Sequence, residues 1–411
     1  MAFIADLQIH SRFARACSKN ITIANLEKYA RIKGLDLLGT GDFQHPLWWK
    51  EICGNLEEDE NGILWTRNKF PFLLQSEISL MFSKNGRRAV HLLMFSPNIE
   101  IAKQIIDALG KKGRLDYDGR PIFGMQPEEF IDIMIGIDKD IEVIPAHAFT
   151  PWFGIFGSDS GFDNVEECFG DRAKFIHSIE TGMSADPEMI WRNDNWNKFN
   201  LVSFSDAHSF HPWRLGREAT IFDCKLKYKG ILNAFRSGER LNSTIEVDPN
   251  YGKYHFDGHR NCNIALNPVE SLKLGNKCPK CGGKLTIGVM QRVEVLANHK
   301  EGYKPENWKP FKRLLPLHEL IAAVYGLQQV TSVKVGEVYN QLIKNFGNEF
   351  NVLLNVEEDE LKRVVHEKLV NVILMNRCGK LNVKAGYDGV YGSVILKENE
   401  KLSSQKRLGD Y

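Results

Sequence analysis

Two hydrophobic rhythms alternate along the first 240 residues. Short apolar, β-branched runs (IADLQIH, LDLLGTGD, FLLQSE, AVH, IEVIPAH, LVSFSDAH) are separated by stretches with helical spacing. Runs that are apolar throughout predict buried parallel strands. Thr22 is placed to cap a helix through Leu26, Tyr29, Ala30 and Ile32, which Gly34 closes. A second helix is expected from Ile99 to Leu109, stopped by Gly110, and a third after Pro127 as far as Gly136. This β-α-β rhythm predicts a parallel α/β barrel over residues 1–245 rather than an open sheet, which would gather its site at one switch point. The rhythm then changes. Residues 246–300 form a short, basic, Gly-rich unit, and residues 301–411 read as mainly helical through LPLHELIAAVYG, VGEVYNQLIKNFGNEFNVLL and EEDELKRVVHEKLVNVILMNR. Glu357, Glu358, Asp359 and Glu360 are expected in the first turn of the last helix, where its dipole favours acids. The tail from Ala385 predicts a Gly/Tyr loop, a short strand and a frayed end.

A chain of 411 residues can hold two or three domains, each with its own core. No run approaches the roughly 20 apolar residues of a membrane helix. The chain passes from Met1 into a strand without the marks of a signal peptide, so an intracellular protein is expected. The net charge of +1 is unevenly spread. Residues 1–240 carry 29 basic against 33 acidic side chains, and residues 241–411 carry 24 against 19. The stretch 253–313 alone has 12 against 5, an excess of 7 positive charges. An acidic half joined to a basic half suits an enzyme that binds cations and acts on a polyanion.

Each strand-like run ends on a residue that can ligate a metal: His10, Asp42, Glu77, His91, His147, and Asp206 with His208. In such barrels reactive groups sit where strands end, so these side chains should converge on one mouth. Imidazoles and carboxylates gathered there bind divalent metals, and metals activate water. Asp206 and His208 lie two apart, which points them the same way. His177 has no motif and is assigned to packing, whereas Glu180 stands where it could support the site. A second cluster, His259-x-x-Cys262 and Cys278-Pro-Lys-Cys281, has the spacing of a tetrahedral structural zinc, with His255 an alternative fourth ligand. Lys280, with Lys277, Lys284 and Arg292, could then meet phosphates. Trp48, Trp49, Trp152, Phe153 and Phe156 follow ligand positions and could stack on an unpaired base or cover the barrel flank.

The order of the first-half ligands resembles the polymerase-and-histidinol-phosphatase (PHP) family, whose distorted (β/α)7 barrel holds two or three metals for phosphoester hydrolysis. Gln8 stands where that family has a histidine, and Asp42 stands at another histidine position. At least two barrel metals (Zn²⁺, Mg²⁺ or Mn²⁺) are therefore expected, beside the structural Zn²⁺. The segments IADLQIHSRF, GTGDFQHP, IPAHAFTPWFG, FSDAHS, YHFDGHRNC, CPKCGGKLTIGV and GYDGVYG extend the resemblance to the endonuclease Q family of DNA repair nucleases. It implies nicking of DNA 5′ to deaminated bases (hypoxanthine, uracil, xanthine) and abasic sites. The reading of the residues themselves puts Asp42, Glu77, Asp206 and His208 at the chemistry and Trp152, Phe153, Lys280 and Arg292 toward DNA. The alternative is a small-molecule phosphatase of the histidinol-phosphate type, which has no use for the basic half. A monomer is expected, and a sliding clamp is a candidate partner although the tail has no clear clamp-binding motif.

Overall fold

The structure, a computed structural model, describes residues 2–397 and 400–402, so the frayed end expected for the tail lies outside the described residues. The fold is mixed α/β. β1 (Phe3–Asp6) leads through α1 (Ile23–Lys33) to β2 (Leu37–Gly39), which runs parallel to it. The Thr22 side chain accepts from the Asn25 N–H and Gly34 closes α1 in left-handed backbone, as the sequence indicated. α2 (Pro46–Asn55) precedes the hairpin β3 (Leu56–Glu58) and β4 (Leu64–Thr66), then β5 (Pro71–Leu73). The chain runs almost directly into β6 (Gln75–Ser83) and β7 (Arg87–Phe95). There follow α3 (Ile99–Gly110), β8 (Ile122–Phe123), α4 (Pro127–Ile137), β9 (Glu142–Pro145), β10 (Ser178–Glu180), β11 (Asn200–Val202), β12 (Ala219–Phe222) and β13 (Leu241–Glu246). A small hairpin, β14 (Asp257–His259) and β15 (Ile264–Leu266), and β16 (Phe311–Arg313) come later.

Eight strands form the largest sheet, in the order β16-β13-β12-β1-β2-β5-β4-β3. A second sheet has the order β8-β6-β7-β9, and β10 pairs with β11. Backbone hydrogen bonds carry the connection onward: Ala148 N–H to Glu180 O (2.9 Å), Thr181 N–H to Val202 O (3.0 Å) and His10 N–H to Ala207 O (3.0 Å). The segment after β11 thus returns to the segment after β1.

Not every strand is parallel, contrary to expectation. β12 is antiparallel to β1, and β7 is antiparallel to both β6 and β9. For β6 and β7 the cause lies in the turn joining them, where Asn85 (φ 53°) and Gly86 (φ 110°) both take left-handed backbone. Two such residues suit a tight hairpin turn and leave no room for a crossover helix.

The helical region also differs in detail. Its second predicted helix breaks at Gly347 into Val333–Phe346 and Glu349–Leu354. The third splits into Glu358–Lys362 and Glu367–Arg377, so the acidic run opens the short piece and not the last helix. This region has its own apolar core, built on residues such as Leu320, Val338, Leu353 and Ile373. It docks on the first half through a buried ion pair, Lys33 Nζ to Glu349 Oε1 at 2.7 Å. The unit between them is different. Among the described residues of 253–287, Cys278 and Leu285 are the buried hydrophobic side chains.

Candidate metal centres

The first-half ligands converge, although not all by ending strands. Glu77 is the third residue of β6 and His91 lies in the middle of β7, so the long hairpin crosses the site instead of stopping at it. Glu77 occupies the centre. Its Oε2 lies 2.9 Å from His10 Nε2 and its Oε1 lies 2.8 Å from His91 Nδ1 and 3.2 Å from His147 Nε2. Asp206 Oδ1 stands 3.1 Å from His10 Nε2, and the His208 ring is 4.7 Å from that of His10. Two sets result, each with ligand atoms close enough to share a cation: His10, Asp206 and His208, and Glu77, His91 and His147. The geometry makes Glu77 the carboxylate between them.

Asp42, expected as a ligand itself, takes another place. Its Oδ1 meets His10 Nδ1 at 2.9 Å, and its Oδ2 accepts the Ser11 N–H at 2.6 Å. Both oxygens are engaged behind His10, which fixes that ring and turns Nε2 toward the cluster. Asp42 (φ 39°), His147 (φ 30°) and Asp206 (φ 47°) all adopt left-handed backbone. Strain of this kind, of order 1–3 kcal/mol at each residue, persists where surrounding packing over-determines a functional position. Gln8 is fully buried, with neither its amide oxygen nor nitrogen bonded.

The electrostatics call for a cation. Asp42, Glu77 and Asp206 lie together, with Arg120 as the fixed positive charge near them; its guanidinium is 3.3 Å from Glu77 Oε2. Burial works against ionising Glu77, yet the Arg120 guanidinium, helped by hydrogen bonds from His10 and His147, outweighs it and holds the carboxyl well below its usual range. Burial and the neighbouring Arg120 push His91 down to about 3, which leaves its ring neutral and able to ligate. Burial opposes a charge on His10 too, but Asp42, Asp206 and Glu77 prevail and raise its pKa well above normal. A cluster that holds a proton so firmly when only protein groups surround it is one that a divalent cation would enter by displacing that proton. The donor set fits hard or borderline divalent ions.

Arg120 was missed in the sequence. It follows Asp118 and Gly119 in a polar loop, where an arginine ordinarily reads as solvated. Glu180 stands behind the site, accepting the His147 N–H at 2.6 Å, while burial raises its own pKa well above the usual value. His177 pairs with Glu142 at 3.0 Å, away from the cluster.

A recess of about 250 Å³ opens onto His91, His147, Asp206 and His208. Phe153 lies in its wall and stacks on His91 (centroids 4.4 Å apart), and half-buried Trp152 packs edge-on against Tyr254. Trp48 is withdrawn: it is fully buried, and its indole N–H donates to the Thr40 and Gly41 carbonyls. Phe156 is equally buried, against Trp196.

The second cluster assembles as spaced. His259, Cys262, Cys278 and Cys281 place their ligand atoms within 4.8 Å of one another. His255 is excluded from the set; its ring is buried against Phe256 and its Nδ1 is unpartnered. The knuckle closes through Cys278 N–H to Gly283 O (2.7 Å) and Gly282 N–H to Cys278 O (2.8 Å). Hydrogen bonding to its neighbours lowers Cys278 to about 6 despite burial, as a thiolate ligand requires. Lys280 is exposed beside it. Arg292, expected at phosphates, is instead spent within the protein, on Phe156 O (3.0 Å), Phe162 O (2.9 Å) and Asp163 Oδ1 (2.7 Å).

Fold and site together describe a mixed α/β protein with a buried His/carboxylate cluster and a separate Cys₃His cluster. Residues 316–380 match the family described as the MJ0043 C-terminal domain. The chain is 32% identical over 257 residues to the uncharacterised protein MJ0043 of Methanocaldococcus jannaschii, covering 61% of this chain and only about a third (32%) of that longer one. It is 28% identical to the uncharacterised protein YqxK of Bacillus subtilis, over 95% of this chain and 98% of that one. Among solved structures, the lesion-specific endonuclease PfuEndoQ of Pyrococcus furiosus superposes with a TM-score of 0.86 at 31% identity, covering 97% of this chain and 96% of that one. Endonuclease Q in complex with a 27-mer duplex carrying an abasic lesion at its active site gives 0.87 at 30% identity, covering 99% and 100%. The chain belongs to the endonuclease Q family.

Proposed function

We propose that this chain is a metal-dependent DNA repair endonuclease that hydrolyses the phosphodiester 5′ to abasic sites and to the deaminated bases hypoxanthine, uracil and xanthine. The observation that carries the reading is buried Glu77, touched by imidazoles from three separate segments, two of which (His91 and His147) line the floor of an open recess together with Asp206 and His208. The division of labour we infer assigns residues 1–245, read as a PHP-type barrel, to catalysis. Residues 246–300 then form the zinc module, and residues 301–411 a DNA-binding region.

His10, Asp206 and His208 would hold one divalent cation and Glu77, His91 and His147 a second, with Glu77 shared. When bound, such ions polarise the scissile phosphate and bring the pKa of a water from about 16 toward about 7. The protein's own groups prepare the place. Asp42 orients His10. Arg120 brings a guanidinium to the same floor, where it can meet charge gathering on the phosphate. His208 donates its Nδ1–H to the Asp206 carbonyl at 2.9 Å, which leaves Nε2 with the lone pair. Lesion choice would reside in a pocket that admits the everted base. Weakly paired deaminated bases cost less to flip, and a backbone N–H could read the carbonyl they share.

The test is an end-labelled duplex with one abasic site, deoxyuridine or deoxyinosine, incubated with protein and Mg²⁺ or Mn²⁺. A single nick immediately 5′ of the lesion is expected, absent with Asp206→Ala and with undamaged duplex. Cleavage of small phosphomonoesters without nicking would overturn the reading.

A further inference from the structure

The late sequence GYDGVYG returns to the barrel mouth. Gly386 N–H donates to Asn250 O (2.8 Å), Gly389 N–H to Lys253 O (3.0 Å) and Gly392 N–H to Tyr251 O (3.0 Å). The fit leaves no room for side chains: a Cβ on Gly386 would stand 2.2 Å from Gly252 O, and one on Gly392 would stand 2.2 Å from Asn250 O. The loop seated in this way delivers Tyr391 to the wall of the recess that opens on the metal cluster.

Three cations meet Tyr391 there. Lys253 Nζ lies 4.6 Å and Arg214 Cζ 5.6 Å from its ring centroid, and Arg217 lines the same recess. Arg217 is only 9% exposed. Its Nε–H donates to Ser205 O at 3.0 Å, and its two terminal nitrogens have no protein acceptor among the described residues. None of the three cations has a carboxylate at ion-pair distance among the described residues. The arginine's stem is packed while its fork opens on the recess without a protein acceptor, beside two further cations, so three positive charges gather there with no carboxylate from the protein to balance them. Although burial opposes it, the joint field of Arg217, Arg214 and Lys253 lowers the Tyr391 pKa.

Resting on the nuclease reading, we propose that Arg214, Arg217, Lys253 and the Tyr391 phenol form a subsite for a second DNA phosphate, neighbouring the one that is cut. The carboxyl-terminal loop thereby completes the substrate site of the amino-terminal half. An everted base would be a poor occupant, since a neutral carbonyl leaves three positive charges uncompensated, whereas a phosphate oxygen can take the open arginine fork. A grip beside the scissile bond would set register without reading sequence.

The test uses full-length protein in an Asp206→Asn background, so that cutting does not interfere, with a fluorescent abasic-site duplex titrated over a range of salt. Lys253→Ala should weaken binding roughly tenfold and reduce the salt slope by about 1; Tyr391→Phe should weaken it less. Single neutral methylphosphonates are then placed along the nicked strand. One position should weaken the parent protein while adding nothing to the loss in Lys253→Ala. Arg217→Lys, checked by thermal melting, should show the same insensitivity; Lys253 and Tyr391 are partly exposed and keep the test valid if Arg217 variants misfold. Equal sensitivity of parent and variants at every position would overturn the subsite. So would a loss seen with a uracil duplex and not with the abasic one, which would make the recess a base pocket. If the parent fails to prefer lesion duplexes and the unmutated enzyme does not nick them, the nuclease reading itself has failed.

Discussion

The two metal-ligand clusters are built on opposite plans. The His/carboxylate residues come from segments as far apart as His10 and His208. Glu77 and His91 sit in buried strands, His147 and Asp206 on left-handed backbone, and His10 N–H is bonded to the Ala207 carbonyl (3.0 Å) beside His208. The Cys₃His ligands lie between His259 and Cys281, on a stretch with almost no apolar interior. The first cluster is positioned by the fold. The second positions its own surroundings. A cation in the His/carboxylate cluster should therefore matter mainly to chemistry, and one in the knuckle mainly to structure.

The largest effect should come from removing a knuckle ligand. Cys281→Ser should unfold residues 253–287, because the about 10 kcal/mol or more that a structural zinc would contribute there has no core to replace it. Hydrogen exchange should show that stretch unprotected while the first 245 residues keep their protection, and retained protection would break the contrast. Asp206→Asn should do the reverse. Nicking should fall about 10³-fold, about 4 kcal/mol of barrier, with an unchanged melting curve, since the residue is held by its neighbours and supports none of the core.

His318 supplies a histidine that is only packed. It lies between Tyr339 and Trp213, and burial pushes it down to about 4. The unfolded chain takes up this proton near pH 6.5, but the folded chain waits until about 4. Its contribution is therefore intact above pH 6.5 and lost as pH falls toward 4, by at most about 3 kcal/mol. Denaturant unfolding from pH 7 to 4 should show this loss, reduced in His318→Gln, and added Mn²⁺ should leave the His318 part untouched. The smallest effect is expected for Asp42→Asn, which keeps the shape behind His10 and removes its charge. Metal affinity should drop about 10- to 100-fold by calorimetry, with the Tm little changed. A complete loss of metal would instead make Asp42 a direct ligand.

Much of this was legible in the chain before any folding. Ligand chemistry is carried by residue type, so the candidates His10, Glu77, His91, His147, Asp206 and His208, which the fold brings together, could be named from runs of strand-like sequence. The Cys-x-x-Cys spacing encoded the knuckle because that unit is local. The α1 caps were readable for the same reason. Even the β6–β7 hairpin had its signal in Asn85-Gly86, outweighed by the apolar runs that suggested parallel strands.

The remaining assignments needed three dimensions. Asp42 and Glu77 are both carboxylates near strands, and only the fold turns one behind His10 and the other into the centre. His255 and His259 are equivalent by spacing, yet packing against Phe256 sets the first aside. Arg120, Arg217 and Tyr391 carry no periodic signal, and they meet the site only because loops far apart in the chain close on one recess. Sequence determines which side chains can ligate, cap or turn, for those are properties of a residue and its near neighbours. Tertiary structure decides which of them share a volume, because burial and charge pairing depend on contacts that no local pattern records.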